Sequence, residues 1–198
     1  MYDPLKTCLR SALRGIISIT ILGGTLQIMA PPAMAAEQAA APEKNPPGDI
    51  PDSQVFVTFK STAGFSVKVP EGWARTERKN GARFADKFNT VDIDINAATA
   101  PPSVASVKSG QAVDLAKTVR AVKVTAIKNV ILSAGPAVLI VYESNSEPNQ
   151  VTDKQLRLES NRYLVFRNGK LATLDLAAPL GADNVDQWKL IAHSFNWN

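Results

Sequence analysis

The sequence predicts an α+β domain, an antiparallel sheet with at least two helices against its faces. Three observations point there. Short runs rich in β-branched and aromatic residues recur from Phe56 onward and are joined by tight turn signals. Asn168-Gly169 lies between two such runs, the strongest short-range mark of a hairpin. Two further segments, at 111–122 and 185–195, place apolar residues at helical spacing.

The elements follow in order. Phe56-Val57-Thr58-Phe59-Lys60 and Phe65-Ser66-Val67-Lys68-Val69 flank a short Ser-Thr-Ala-Gly segment and form a first hairpin. Pro70 ends the second strand because it supplies no ladder donor, and Glu71-Gly72 turns the chain into Trp73. After Asn80-Gly81 a short strand is expected from Ala82 to Phe88. Val91-Asp92-Ile93-Asp94-Ile95 then alternates strictly and presents one acidic face. Pro101-Pro102 breaks the chain before a helix from Gln111 to Val122, in which Leu115, Val119 and Val122 share a face. Lys123 to Leu132 is a Val- and Ile-rich strand, and Gly135-Pro136 reads as a turn. Ala137 to Tyr142 is apolar on both faces, the pattern of a central strand. Glu147-Pro148-Asn149 marks a loop before alternating strands at Gln155 to Phe166 and Leu171 to Leu176. Asp183 or Asn184 caps a last helix with Val185, Trp188, Ile191, Ala192 and Phe195 on one side. The chain contains no internal repeat.

Ahead of this domain, Lys6, Arg10 and Arg14 precede an apolar run from Ile16 to Ala30 that closes on Pro31-Pro32-Ala33-Met34-Ala35-Ala36. That is the layout of a secretory signal peptide at 1–35, cut after Ala35, with the small Ala33 and Ala35 fitting the peptidase site. The run falls short of the ~20 apolar residues of a membrane-spanning helix and is broken by Gly23-Gly24 and Gln27. Cys8 precedes the run instead of following it, which argues against a lipid anchor, and no twin-arginine pair is present. An exported protein with no integral membrane segment after cleavage is expected. Residues 36–53 are rich in Ala and Pro, with almost no large apolar side chain, and read as a flexible linker: a spacer, or an arm that orders on a partner. The folded domain is expected at 54–198.

Composition removes several function classes. The formal net charge is +4, and Lys6, Arg10 and Arg14 against Asp3 supply about half of it. The remainder is too small a footprint for nucleic-acid binding. Cys8 is the only cysteine and leaves with the leader, while His193 is the only histidine, so thiol chemistry and zinc sites lack their ligands. With 45% hydrophobic residues the domain has a core to hold it without disulfides.

Few side chains offer chemistry. Asp92 and Asp94 point to one strand face about 7 Å apart, a spacing open to a calcium ion, although no loop dense in Asp, Asn and Gly completes the ligand set. The competing reading is a solvated strand face. His193 falls near the end of the last helix, where the dipole favours an exposed, protonated imidazole. A serine hydrolase would depend on that one histidine, and no Gly-x-Ser-x-Gly elbow precedes it. Arg75, Arg78, Lys79, Arg83 and Lys87 gather around the Trp73 turn against Glu77 and Asp86. They form either a solvated hairpin loop or a docking patch for an acidic partner or an anionic membrane. Trp73, Trp188 and Trp197 are assigned to the core.

The run Gly64-Phe65-Ser66-Val67-Lys68-Val69-Pro70-Glu71-Gly72-Trp73 resembles the opening hairpin of the PsbP-like family. Asn168-Gly169-Lys170-Leu171, Ala178-Pro179, Trp188 and Ser194-Phe195 are similar to that family's closing hairpin, loop and last helix, in order and spacing. The resemblance spans roughly Phe56 to Trp197. It implies an α/β/α sandwich around a central antiparallel sheet, and an accessory protein that is not an enzyme. It implies docking on a protein or membrane-associated complex: the oxygen-evolving complex of photosystem II, in the thylakoid lumen, in a photosynthetic source, and a periplasmic partner otherwise. The chain lacks a second histidine, so a metal role for paired histidines is not expected. A carrier of a small apolar ligand, held between sheet and helix, is the alternative from a different class.

Overall fold

The computed structural model describes residues 37–198, so the leader and its cleavage site lie outside the described residues. Strands β1 (Phe56–Ser61) and β2 (Phe65–Pro70) pair antiparallel, with Gly64 at φ +94° in the turn between them. Then come β3 (Ala74–Arg78), β4 (Gly81–Ala85) and β5 (Thr90–Ala97), followed by helices α1 (Val104–Ser109) and α2 (Gln111–Thr118). Four long strands follow, β6 (Lys123–Leu132), β7 (Gly135–Asn145), β8 (Arg157–Arg167) and β9 (Lys170–Pro179). Helix α3 (Val185–Ser194) and the short β10 (Asn196–Trp197) complete the domain.

Seven strands make one antiparallel sheet in the order β3-β4-β5-β9-β8-β7-β6, and β1-β2-β10 make a second. The turn at Asn168-Gly169 has φ of +50° and +73°, the signs that a two-residue hairpin with matching twist requires. On one face of the large sheet, Val91, Ile93, Leu174, Leu176, Tyr163 and Val165 pack into a core with Phe65 and Val67 of the small sheet, Ile191 of α3 and Phe195 just after it. The Phe65 and Phe195 rings stack at 5.7 Å between centroids, and Phe59 meets Phe84 edge-on at 5.1 Å. On the other face, Val107 and Leu115 of α1 and α2 cover Val138, Ile140, Tyr142 and Leu164. The molecule is thus an α/β/α sandwich, as expected, and Trp188 is buried in it while Trp73 and Trp197 pack partly buried against the core.

Several elements depart from the sequence expectation. β3 is a strand where a loop was expected: all five of its side chains are exposed, so no apolar alternation betrays it, and β4 alone holds it at the sheet edge. Helix α1 was not expected either. It is six residues long and starts at a Ser103/Ser106 capping box. Helix α2 stops at Thr118, ahead of Ala121 in the left-handed region at φ +43°. β7 lies one strand in from the edge and not at the centre; it is apolar on both faces because Ala137 and Leu139 enter one core and Val138 and Ile140 the other. Pro136 is inside β7 opposite Ile131, the turn having closed one step earlier. Val185, expected on the inner side of α3, is exposed.

The segment expected as a flexible linker lies along the domain. The Ile50 side chain is only 4% exposed, its N–H donates to Asn184 Oδ1 at 2.7 Å, and Asn184 Nδ2 donates to the Gly48 carbonyl at 2.9 Å. Asp52 accepts from Gln187, and Asp49 from the Asp183 backbone. Composition misses this because specific hydrogen bonds and one buried isoleucine hold the arm, not a mass of apolar surface.

Candidate functional site

Helices α1 and α2 cover only the β6, β7 and β8 end of their sheet face. Beyond them, strands β5, β9, β8 and β7 leave an open trough of about 340 Å³ lined by Thr90, Asp92, Thr173, Asp175, Arg162 and Tyr142, among others. Strict alternation builds it: Val91, Ile93, Leu174 and Leu176 point into the core, so Asp92, Asp94, Thr173 and Asp175 must point away. Register does the rest. Arg83 stands opposite Asp92, Asp92 opposite Asp175 and Asp175 opposite Arg162, a row of four charges across four strands.

The row places two carboxylates side by side, which costs energy unless cations flank them. Arg162 supplies one flank, its Nε donating to Asp175 Oδ2 at 3.0 Å, and the Tyr142 hydroxyl donates to the same oxygen at 2.8 Å. The other oxygen, Oδ1, is buried with no hydrogen-bond partner among the described residues. Burial pushes the Asp175 carboxyl above its ordinary value, against the pull of Arg162 and the two sets of hydrogen bonds. The Arg162 guanidinium also lies over the Tyr142 ring, 5.6 Å from its centroid.

The second flank uses residues singled out from sequence. Arg78 pairs with Asp92 and, at 3.1 Å, with Asp94, and also donates to the Ile93 carbonyl, while Arg83 meets Asp92 at 3.0 Å. Hydrogen bonding to Asp92 raises the Arg78 pKa above its already high ordinary value. The five-cation patch is therefore not a uniform basic surface. Arg75 pairs loosely with Glu77 at 3.4 Å and lies over the Phe59 ring, whereas Lys79 and Lys87 have no carboxylate at ion-pair distance among the described residues. Asp92 and Asp94 are both engaged by guanidinium groups, so a calcium ion would have to displace them. Among the described residues no group of three or more His, Cys, Asp or Glu side chains could hold a metal ion.

His193 is exposed in the last turn of α3. The neighbouring Ser194 hydroxyl is committed to the backbone, accepting from Lys68 and donating to Ile191. Sequence reasoning missed Tyr142, Arg162 and Asp175. Asp175 stands opposite in parity to its core neighbours, and Leu174-Asp175-Leu176 carried that signal as plainly as Ile93-Asp94-Ile95, whereas Tyr142 and Arg162 share the parity of Ile140 and Leu164 in the second core and nothing along the chain sets them apart. Among the described residues no helix is long and apolar enough to cross a membrane.

No protein-family model and no curated protein matches the sequence. Solved structures do. Cyanobacterial PsbP (CyanoP) from Synechocystis sp. PCC 6803 superimposes with a TM-score of 0.51 at 16% identity, over 76% of this chain and 98% of that one. The Ran-binding protein Mog1p of Saccharomyces cerevisiae gives a TM-score of 0.51 at 9% identity, over 73% of this chain and 96% of that one. Together with the three-layer architecture, these similarities identify the domain as one with the PsbP-like fold.

Proposed function

We propose that this protein is an exported, non-catalytic accessory module that docks on an acidic surface of a protein complex through the charged trough and its β3–β4 rim. The observation that carries the reading is the row Arg83, Asp92, Asp175, Arg162, in which each ionic group is fixed by its neighbour. Groups held this way suit recognition, because little side-chain freedom is lost on binding. They do not suit proton transfer, since each is engaged in an ion pair. Lys79 and Lys87 at the rim supply the charge that steers an acidic partner. Mog1p, of the same fold, is a Ran-binding protein, a precedent for protein partners. In a photosynthetic source the partner would be photosystem II, with the thylakoid lumen as compartment; elsewhere it would be a periplasmic assembly.

Charge reversal tests this where it does not break the fold. Arg78→Glu or Arg83→Glu would set a carboxylate beside Asp92, so Lys79→Glu with Lys87→Glu is the informative change. Capture from native membranes of the source should lose its main complex in the double variant and weaken with salt. An unchanged captured set would refute the rim. Salt-sensitive binding to anionic vesicles, lost in the same variant, would replace the protein partner by a membrane. The apolar-carrier reading gains no support, because Ile191 and Phe195, both 0% exposed, fill the space between α3 and the large sheet.

A further inference from the structure

At the far end of β7, where Asn145 and Glu147 also line the end of the trough, the arm meets a built site. Asn145 is 4% exposed, and Arg157, also 4% exposed, fixes it by donating from Nη1 to its Oδ1 at 3.1 Å and to the Ala121 carbonyl at 2.8 Å. The Asn145 amide grips the arm by its backbone. Its Oδ1 accepts from the Ala40 N–H at 2.9 Å and its Nδ2 donates to the Gln38 carbonyl at 2.9 Å. A side-chain amide used in this way imitates a neighbouring β-strand and recognises extended chain whatever its side chains.

Specificity enters at Glu37. Its carboxylate accepts from Arg120 Nη1 at 2.9 Å, Gln155 Nε2 at 2.6 Å and Asn145 Nδ2 at 3.0 Å. Arg120 is itself held by Glu147 through Nε. Around the contact lies an open cavity of about 600 Å³, lined by Ala116, Lys117, Val122 and Lys123 as well as Arg120 and Arg157, which stays open with Glu37 and Ala39 in place as part of its wall. The charged residues of the lining are basic apart from Glu37.

We infer that Asn145, Arg120 and Gln155 form a peptide clamp for an extended segment bearing a glutamate, and that residues 37–40 occupy it as an internal ligand that a partner's acidic segment displaces. The clamp needs three things of its ligand: a carbonyl and an N–H two residues apart, and a carboxylate one residue before the carbonyl. This chain's own Glu37-Gln38-Ala39-Ala40 provides them. None of these contacts involves the row Arg83, Asp92, Asp175, Arg162.

The test uses the domain from residue 36 onward with the fluorescent peptide Ala-Glu-Gln-Ala-Ala-Ala-Pro. Glu37→Ala with Ala40→Pro empties the clamp by removing the carboxylate and one backbone donor. That variant should bind the peptide at least about tenfold more tightly than the wild-type domain, and replacing the peptide's Glu by Gln should weaken binding by about tenfold or more. Arg120→Ala in the emptied domain, an exposed change that spares the fold, should cost a similar factor. Equal binding by wild type and emptied variant would overturn internal occupancy. No binding to the emptied variant, or indifference to Glu against Gln, would overturn the clamp.

Discussion

Replacing Asp175 by alanine removes the carboxylate that balances Arg162 and accepts from Tyr142. Breaking a buried ion pair by deleting one partner costs about 3–5 kcal/mol. The two side chains here keep 22% and 17% of their exposure, which places the pair at the low end of that range. The orphaned Tyr142 hydroxyl adds about 1 kcal/mol. Asp175→Ala should therefore destabilise the domain by about 3–4 kcal/mol, a fall in Tm on the order of 10 °C for a domain of this size. Replacing the pair together, Asp175→Leu with Arg162→Met, leaves no stranded charge and should stay within about 1.5 kcal/mol of wild type. Urea and thermal unfolding followed by circular dichroism measure both. A single variant within about 1 kcal/mol of wild type, or a double variant less stable than the single, would refute the view that the trough's charges are locked by one another.

Three further outcomes follow from the same contacts. Ile50→Ala should cost about 2–4 kcal/mol in urea unfolding, since it empties a buried site under the arm, whereas a loose tether would leave stability unchanged. Burial, then the charge of Asp175, raises the Tyr142 phenol above its ordinary 10.0. The folded state thus keeps a proton that the unfolded state releases, and stability should fall as pH rises past about 10; Tyr142→Phe should flatten that slope in pH-dependent unfolding. Hydrogen bonds from Asn145 and then Gln155 hold the Glu37 carboxyl below its ordinary 4.5. The arm contact should therefore be intact above that value and lost as pH falls through the lowered one. The side-chain amide resonances of Asn145 and Gln155 report the loss, and Glu37→Gln should abolish the transition.

The alternation of strands, the two cores and α3 were legible in the sequence because burial imposes period two or period 3.6 on residues that must avoid water. β3 was not, since Ala74-Arg75-Thr76-Glu77-Arg78 buries nothing and exists only as the edge partner of β4. The site was half legible. Arg78, Arg83, Asp92 and Asp94 could be picked out along the chain, but that the cations and carboxylates would neutralise one another depends on the register of β4 against β5, and Arg162 and Tyr142 reach Asp175 only through the order of β7, β8 and β9. The arm was hidden for a different reason. Its affinity lies in Asn145 and Asn184, buried amides far along the chain, and nothing in an Ala- and Pro-rich stretch announces that an acceptor waits for its backbone.

The seam between the arm and the last helix has a consequence for how the domain comes into being. Ile50 and Asp52 bond to Asn184 and Gln187, and β2 finds its second neighbour in β10. A chain delivered N-terminus first must therefore hold its opening segment and the Phe65 face of its first hairpin incomplete until the final residues arrive. Such closure is late and collective, because contacts so distant in sequence form only after the intervening chain is in place. An error at the last few residues is then felt at the opposite terminus, where the arm loses its footing.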